Sequence, residues 1–355
     1  MSIVAEKTER LFSSLQGWQP PSEWVRVATV DAHAAGEPLR IILSGFPEVK
    51  GKTMAERRKF CMQHYDHLRR LLMWEPRGHA DMYGCFILSP VTPDADFSLL
   101  FMHNEGFSTM CGHGTIAVCK VVIEMGAVPP HEPETILRLD TPAGLVTATA
   151  SVVNRKVERV AFRNVPSFVV ALDQEIEVPE LGRVRYDLAF GGAFYAFVEA
   201  AQLGLRCTME EAQTLIHRGR LIQKAVMAER TLSHPLDDTL GFLYGTIFVA
   251  PPSISGCHSR NACVFAEGQL DRSPTGTGVS ARLAIHHARG EICVGSPITI
   301  ESIIGSRFAG RIVDTTSVGN YAAVIPEIEG TAHITGRHEF FVDPSDDLAR
   351  GFLIR

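Results

Sequence analysis

The chain has 355 residues, 45% of them hydrophobic and 21% charged, the composition of an ordinary globular protein with room for two lobes. Its formal net charge of −6 gives no electrostatic reason to expect nucleic acid or an anionic membrane as a partner. The N-terminus lacks the apolar core of a secretory signal and no segment approaches ~18 uninterrupted apolar residues, so a soluble protein without a membrane span is expected. Eight scattered cysteines without a regular framework point to reduced thiols in a cytoplasm.

Residues 1–24 read as an extension closed by Gln19-Pro20-Pro21. Val25 to Asp31 then reads as a strand, followed by a polar turn from His33 to Pro38 and a hairpin partner, Leu39 to Leu43. Residues 54–73 suit one helix, with Phe60, His64, Leu68, Leu71 and Leu72 along a face. Short strands are expected at Cys85–Leu88, Phe97–Phe101, Leu145–Ala148 and Val157–Phe162. The second half repeats this plan loosely: a strand and glycine turn at Tyr186–Gly192, a helix over 208–228 capped by Thr208, and a strand at Thr246–Ala250. Strands around 297–303, 308–314, 321–325 and 338–342 close the chain.

Two segments carry the chemistry. Met110-Cys111-Gly112-His113-Gly114-Thr115 and Pro274-Thr275-Gly276-Thr277-Gly278-Val279 each place a small nucleophilic side chain before Gly-x-Gly, at the head of a short apolar helix. The glycines allow a tight turn and close approach to a ligand. The unpaired N–H groups at such a helix start suit a carboxylate or phosphate. They are also expected to lower the Cys111 pKa toward neutrality, as a base or nucleophile requires. Asp271, four residues before Thr275, could hold an ammonium group or merely cap its own turn.

Rival readings are weaker. Both loops satisfy G-x-G-x-x-A, at 112–117 and 276–281, but a polar loop and Pro274 separate the strand at Ala262–Phe265 from Gly276, against a dinucleotide site. His64, Asp66 and His67 with His79 have an i, i+3 spacing that arises readily by chance on an amphipathic helix, and Cys257, His258 and Cys263 lack the two-residue spacing of a zinc site, so both groups read as structural or surface residues.

Met-Cys-Gly-His at 110–113 and Asp-Arg-Ser-Pro-Thr-Gly-Thr-Gly at 271–278 resemble the two signatures of the proline racemase family. Supporting segments are Gly36-Glu37-Pro38, Glu75 to His79 running into Asp81 to Gly84, His103 to Gly106, Gly191 to Tyr195 and Leu243 to Thr246. The resemblance covers about residues 25–355. It implies an α+β, diaminopimelate-epimerase-like fold of two pseudo-symmetric lobes, each a curled β-sheet around a central helix. The lobes would span 25–182, completed by 335–355, and 183–334. It also implies that no cofactor and no metal is used.

Racemases and 4-hydroxyproline epimerases of that family carry cysteine at both loops. Thr275 at the second loop is the pattern of its trans-3-hydroxy-L-proline dehydratases, and Ala34-Ala35 departs from the usual Thr-Gly. The implied site has Cys111 as the base, Thr275 opposite it, and Gly112, His113, Gly276, Thr277 and Asp271 binding a small hydroxyproline substrate. A threonine hydroxyl is too weak an acid to reprotonate a carbanion, whereas elimination of water needs one base. The alternatives are a proline or hydroxyproline racemase or epimerase, and a non-catalytic amino-acid-binding protein. A homodimer is left open.

Overall fold

The computed structural model describes residues 3–354. In chain order the elements are helix α1 (Ile3–Gly17), strands β1 (Val25–Ala34) and β2 (Glu37–Ser44), and helices α2 (Met54–His64) and α3 (Asp66–Met73). Strands β3 (Tyr83–Leu88) and β4 (Phe97–His103) lead into helix α4 (Gly112–Glu124). Six strands follow: β5 (Glu134–Thr141), β6 (Gly144–Val153), β7 (Lys156–Arg163), β8 (Ser167–Val178), β9 (Gly182–Phe190) and β10 (Phe194–Glu199). After helix α5 (Ala212–Glu229) come β11 (Leu243–Ala250), β12 (Ser259–Phe265), β13 (Gln269–Leu270) and helix α6 (Gly276–Ala288). The chain ends with β14 (Ile298–Ser302), β15 (Arg307–Val318), β16 (Tyr321–Gly330) and β17 (Ala332–Val342).

The result is an α+β fold with a closed β-barrel core and flanking helices. One hydrogen-bonded circuit runs β8–β9–β10–β11–β12–β14–β15–β16 and returns to β8. The pairing senses of the two halves match. β1–β2, β2–β3, β3–β4 and β4–β5 are antiparallel, parallel, antiparallel and parallel. β9–β10, β10–β11, β11–β12 and β12–β14 follow the same order. In each half the helix headed by a nucleophile loop joins the last parallel pair. The final strand, β17, returns to pair with β1 along its whole length.

Both loop-headed helices lie inside the sheets, which is why they bury nearly every face. Residues Gly276 to His286 of α6 are all buried, and α4 leaves only Lys120 and Glu124 less than fully covered. α4 packs on β1, β7 and β17, and α6 on β8, β9, β15 and β16. The terminal strands are longer than their apolar runs suggested, because ladder pairing extends past the buried residues.

The single helix expected over 54–73 is instead two. Tyr65, with φ −121° and ψ 14°, leaves the helical region between α2 and α3. The break resets the buried face from Met54, Arg57 and Cys61 to Arg69, Leu71, Leu72 and Met73. Arg69 can then reach the carbonyls of His103 and Asn104. Among the described residues no helix is long and apolar enough to cross a membrane.

Candidate functional site

The seven residues singled out in the sequence (Cys111, Gly112, His113, Asp271, Thr275, Gly276 and Thr277) line one cavity. It lies where the N-termini of α4 and α6 face each other. Tyr83, Met110, Tyr195, Tyr244 and Phe265 complete its wall. The enclosed space is about 20 Å³, room for about one water. Larger hollows, of about 760 Å³ beside Phe46 and Arg57 and about 430 Å³ beside Arg282, contain none of the loop residues.

Cys111 is the N-cap of α4. Its backbone is extended (φ −146°, ψ 115°), and its sulfur accepts the Gly114 N–H at 3.2 Å. His113 Nδ1 stands 3.1 Å from that sulfur, and the ring also bonds the Pro38 carbonyl. The thiol is 5% exposed. Burial drives its pKa well above the ordinary value, and the Gly114 N–H offsets this only in part. The depression expected at a helix N-terminus is therefore reversed in the closed site. Burial likewise lowers the His113 pKa to about 4, so thiol and imidazole are both neutral near pH 7.

Thr275 occupies the corresponding place on α6 with a different backbone. Its φ of 66° lies in the left-handed region, an outlying conformation for a β-branched residue. The Thr275 hydroxyl donates to Asp271 Oδ2 at 2.8 Å, while Asp271 Oδ1 accepts the Ser273 N–H at 2.7 Å. Asp271 thus caps its own turn and also faces the cavity. The Thr277 hydroxyl pairs with Tyr195 Oη at 2.7 Å. The leading N–H groups of both helices, among them those of Gly112, His113, Gly276 and Thr277, have no intrahelical acceptor and converge on the cavity.

Several wall residues had no individual signal in the sequence. Tyr83 Oη meets Ser108 Oγ at 2.5 Å and Tyr244 Oη at 3.3 Å, and burial raises the pKa of Tyr83, Tyr195 and Tyr244. Glu37 is wholly buried behind Asp271 and accepts the Arg272 N–H at 2.7 Å; burial pushes its carboxyl well above the usual range. All four lie in segments that carried the family resemblance, the one clue available. At the Ala34-Ala35 departure, Ala35 adopts φ 53°, where glycine would be unstrained. The histidines and cysteines outside the loops do not gather: among the described residues no three His, Cys, Asp or Glu could hold a metal ion.

A closed barrel with two opposed helix N-termini, one headed by a cysteine, defines the architecture of the proline racemase and diaminopimelate epimerase superfamily. The profile of the proline racemase family matches residues 29–353, and the chain belongs to that family. It is 46% identical over 341 residues to the trans-3-hydroxy-L-proline dehydratase of Colwellia psychrerythraea, covering 95% of this chain and 96% of that one. It is 42% identical over 329 residues to the 3-hydroxyproline 2-epimerase of Burkholderia multivorans, covering 93% and 98%. The crystal structure of a hydroxyproline epimerase from Agrobacterium vitis with bound trans-4-hydroxy-L-proline superimposes with a TM-score of 0.89 at 32% identity, covering 94% of this chain and 96% of that one.

Proposed function

We propose that the chain is a hydro-lyase that converts trans-3-hydroxy-L-proline to Δ1-pyrroline-2-carboxylate. The observation that carries this reading is Thr275, a hydroxyl where a second thiol would stand, bonded to Asp271 and so removed from proton transfer.

The substrate carboxylate rests on the N–H groups of Gly112, His113, Gly276 and Thr277, and Asp271 holds the ring ammonium. Cys111 acts as the thiolate that takes the α-proton, and His113 Nδ1, 3.1 Å from its Sγ, orients it. In the trans isomer the 3-hydroxyl is on the face opposite the carboxylate, the same face as the α-hydrogen. Cys111 therefore faces both groups. As the C2–H bond breaks, its electrons form C2=C3, and the C3–O bond releases hydroxide. The new thiol returns its proton to that hydroxide and leaves water. The enamine gains a proton at C3, loses one from nitrogen and becomes the cyclic imine. One base suffices, and the opposite face needs no acid.

The closed cavity encloses about 20 Å³, so binding a ring of proline size requires it to widen. The matched pairing order of the two halves supports a pseudo-twofold pair of lobes, 25–182 with 335–355 and 183–334, each wrapping one helix. Eight free cysteines fit a reducing cytoplasm.

The test is incubation with trans-3-hydroxy-L-proline and a Δ1-pyrroline-2-carboxylate reductase, following NAD(P)H oxidation. Oxidation dependent on both components is expected. Loss of optical rotation from a hydroxyproline without imine formation would instead identify an epimerase.

A further inference from the structure

The carbonyl of Pro274, the residue before Thr275, accepts the Asn261 Nδ2–H at 3.0 Å. Asn261, on β12, is wholly buried, and its Oδ1 accepts from Arg282 Nη1 at 3.0 Å. Arg282 comes from the second turn of α6, the helix that Thr275 heads. It also donates to Ser259 Oγ and, at 3.0 Å, to His286 Nε2. His286 Nδ1 in turn meets Glu291 at 2.5 Å, on the wall of the 430 Å³ hollow.

Two features set this chain of contacts apart from ordinary packing. The nearby Arg260 is matched by a buried carboxylate, Glu301, at 2.5 Å. Arg282 is equally buried, yet all its hydrogen-bond partners are neutral; the carboxylates of Glu199 and Glu291 act on it without a hydrogen bond, and burial outweighs them, lowering its pKa to about 10. A buried guanidinium without a hydrogen-bonded carboxylate costs stability that an apolar side chain would not. In addition, the segment it braces holds a β-branched residue at φ 66°, a conformation that persists only where surrounding contacts over-determine it.

We propose that Asn261 and Arg282 are positioning residues that hold the Thr275 loop, and with it the Gly276 and Thr277 N–H groups, in ligand-binding geometry. Neither residue lines the cavity, so both act through the Pro274 carbonyl. Among the described residues no hydrogen bond joins the Cys111 loop to Asn261 or Arg282, and that loop keeps its own cap through Gly114. The relay therefore governs one half of the carboxylate cradle and leaves the nucleophile alone. This rests on the reading of both loops as the substrate cradle.

Asn261→Asp provides the test, because it keeps an acceptor for Arg282 but turns an oxygen toward the Pro274 carbonyl. Amide hydrogen exchange in the protein without substrate reads the loop directly, whatever the substrate proves to be. Exchange over residues 275–278 should rise about tenfold while residues 112–116 stay at the wild-type rate. Since the cradle contributes to ground state and transition state alike, KM for trans-3-hydroxy-L-proline should rise about tenfold with kcat within about threefold. Arg282→Met should reproduce the pattern and Arg282→Lys restore part of it. If the aspartate variant does not fold, Asn261→Ser carries the same measurement. Unchanged exchange at 275–278 in the folded variants overturns the proposal, as does equal loosening of both loops, which would mean general destabilisation. Absence of turnover in wild type would count against the dehydratase reading alone, since the exchange measurement does not depend on it.

Discussion

A Cβ placed on Gly112 would lie 2.8 Å from the Cα of Gly276, and one on Gly276 would lie 3.0 Å from the Cα of Gly112. Helices α4 and α6 thus touch backbone to backbone at their first residues. No side chain separates their N–H groups, which is the arrangement that the proposed carboxylate cradle requires.

Alanine at position 112 tests this contact. At a helix start, alanine would ordinarily stabilise by about 1 kcal/mol over glycine. Here the new methyl group meets unyielding backbone, and overpacking of that kind costs about 1–3 kcal/mol. Gly112→Ala should therefore lower the thermal midpoint and reduce kcat/KM about 100-fold by spreading the cradle. A more stable variant with wild-type kcat/KM would show that the helices are free to separate.

Thr275→Cys puts a thiol opposite Cys111 and takes the hydroxyl away from Asp271, whose bond to it measures 2.8 Å. Dehydration should fall about tenfold, in keeping with loss of one hydrogen bond to a charged acceptor. Exchange of the α-hydrogen of L-proline with D2O, followed by NMR, should appear or increase. Dehydration at the wild-type rate would remove Thr275 from the account of reaction choice.

Burial raises the Cys111 pKa, and one N–H bond offsets this only in part. Alkylation of Cys111 by iodoacetamide should consequently rise with pH through a midpoint above the ordinary thiol value of about 8.5. Pyrrole-2-carboxylate, a planar mimic of the carbanion, should block it. A midpoint below neutrality would mean that the helix N-terminus outweighs desolvation after all.

His113 has its pKa lowered from 6.5 to about 4 by burial, and so does His286. Between those values the unfolded chain takes up protons that the folded chain refuses, so stability is complete above pH 6.5 and declines as pH falls toward 4. The thermal midpoint should drop over that window. His113→Gln should flatten the drop in part, with His286 retaining its own share. A variant with the full wild-type slope would place the proton uptake elsewhere.

The cradle could be read from the sequence because its parts are local. A helix N-cap and the N–H groups it leaves unpaired lie within about four residues, so Cys111-Gly112-His113-Gly114 and Thr275-Gly276-Thr277-Gly278 announce themselves without a fold. Tyr83, Tyr195 and Tyr244 could not be placed in the same way. Each is one residue in a buried strand, and their hydroxyls join the site only because β3, β10 and β11 converge on it. The break at Tyr65 was hidden for a related reason: the pattern over 54–73 suits one helix, and only the carbonyls of His103 and Asn104 demand that Arg69 turn inward.

By itself the sequence determined the two loops, the difference between thiol and hydroxyl, and the family resemblance they carry. Only the tertiary structure decided that the loops meet at Gly112 and Gly276, that Thr275 gives its hydroxyl to Asp271, and that the Cys111 pKa rises instead of falling. Capping is chemistry between chain neighbours, whereas desolvation and the direction of a hydroxyl depend on groups that strand pairing brings from elsewhere in the chain.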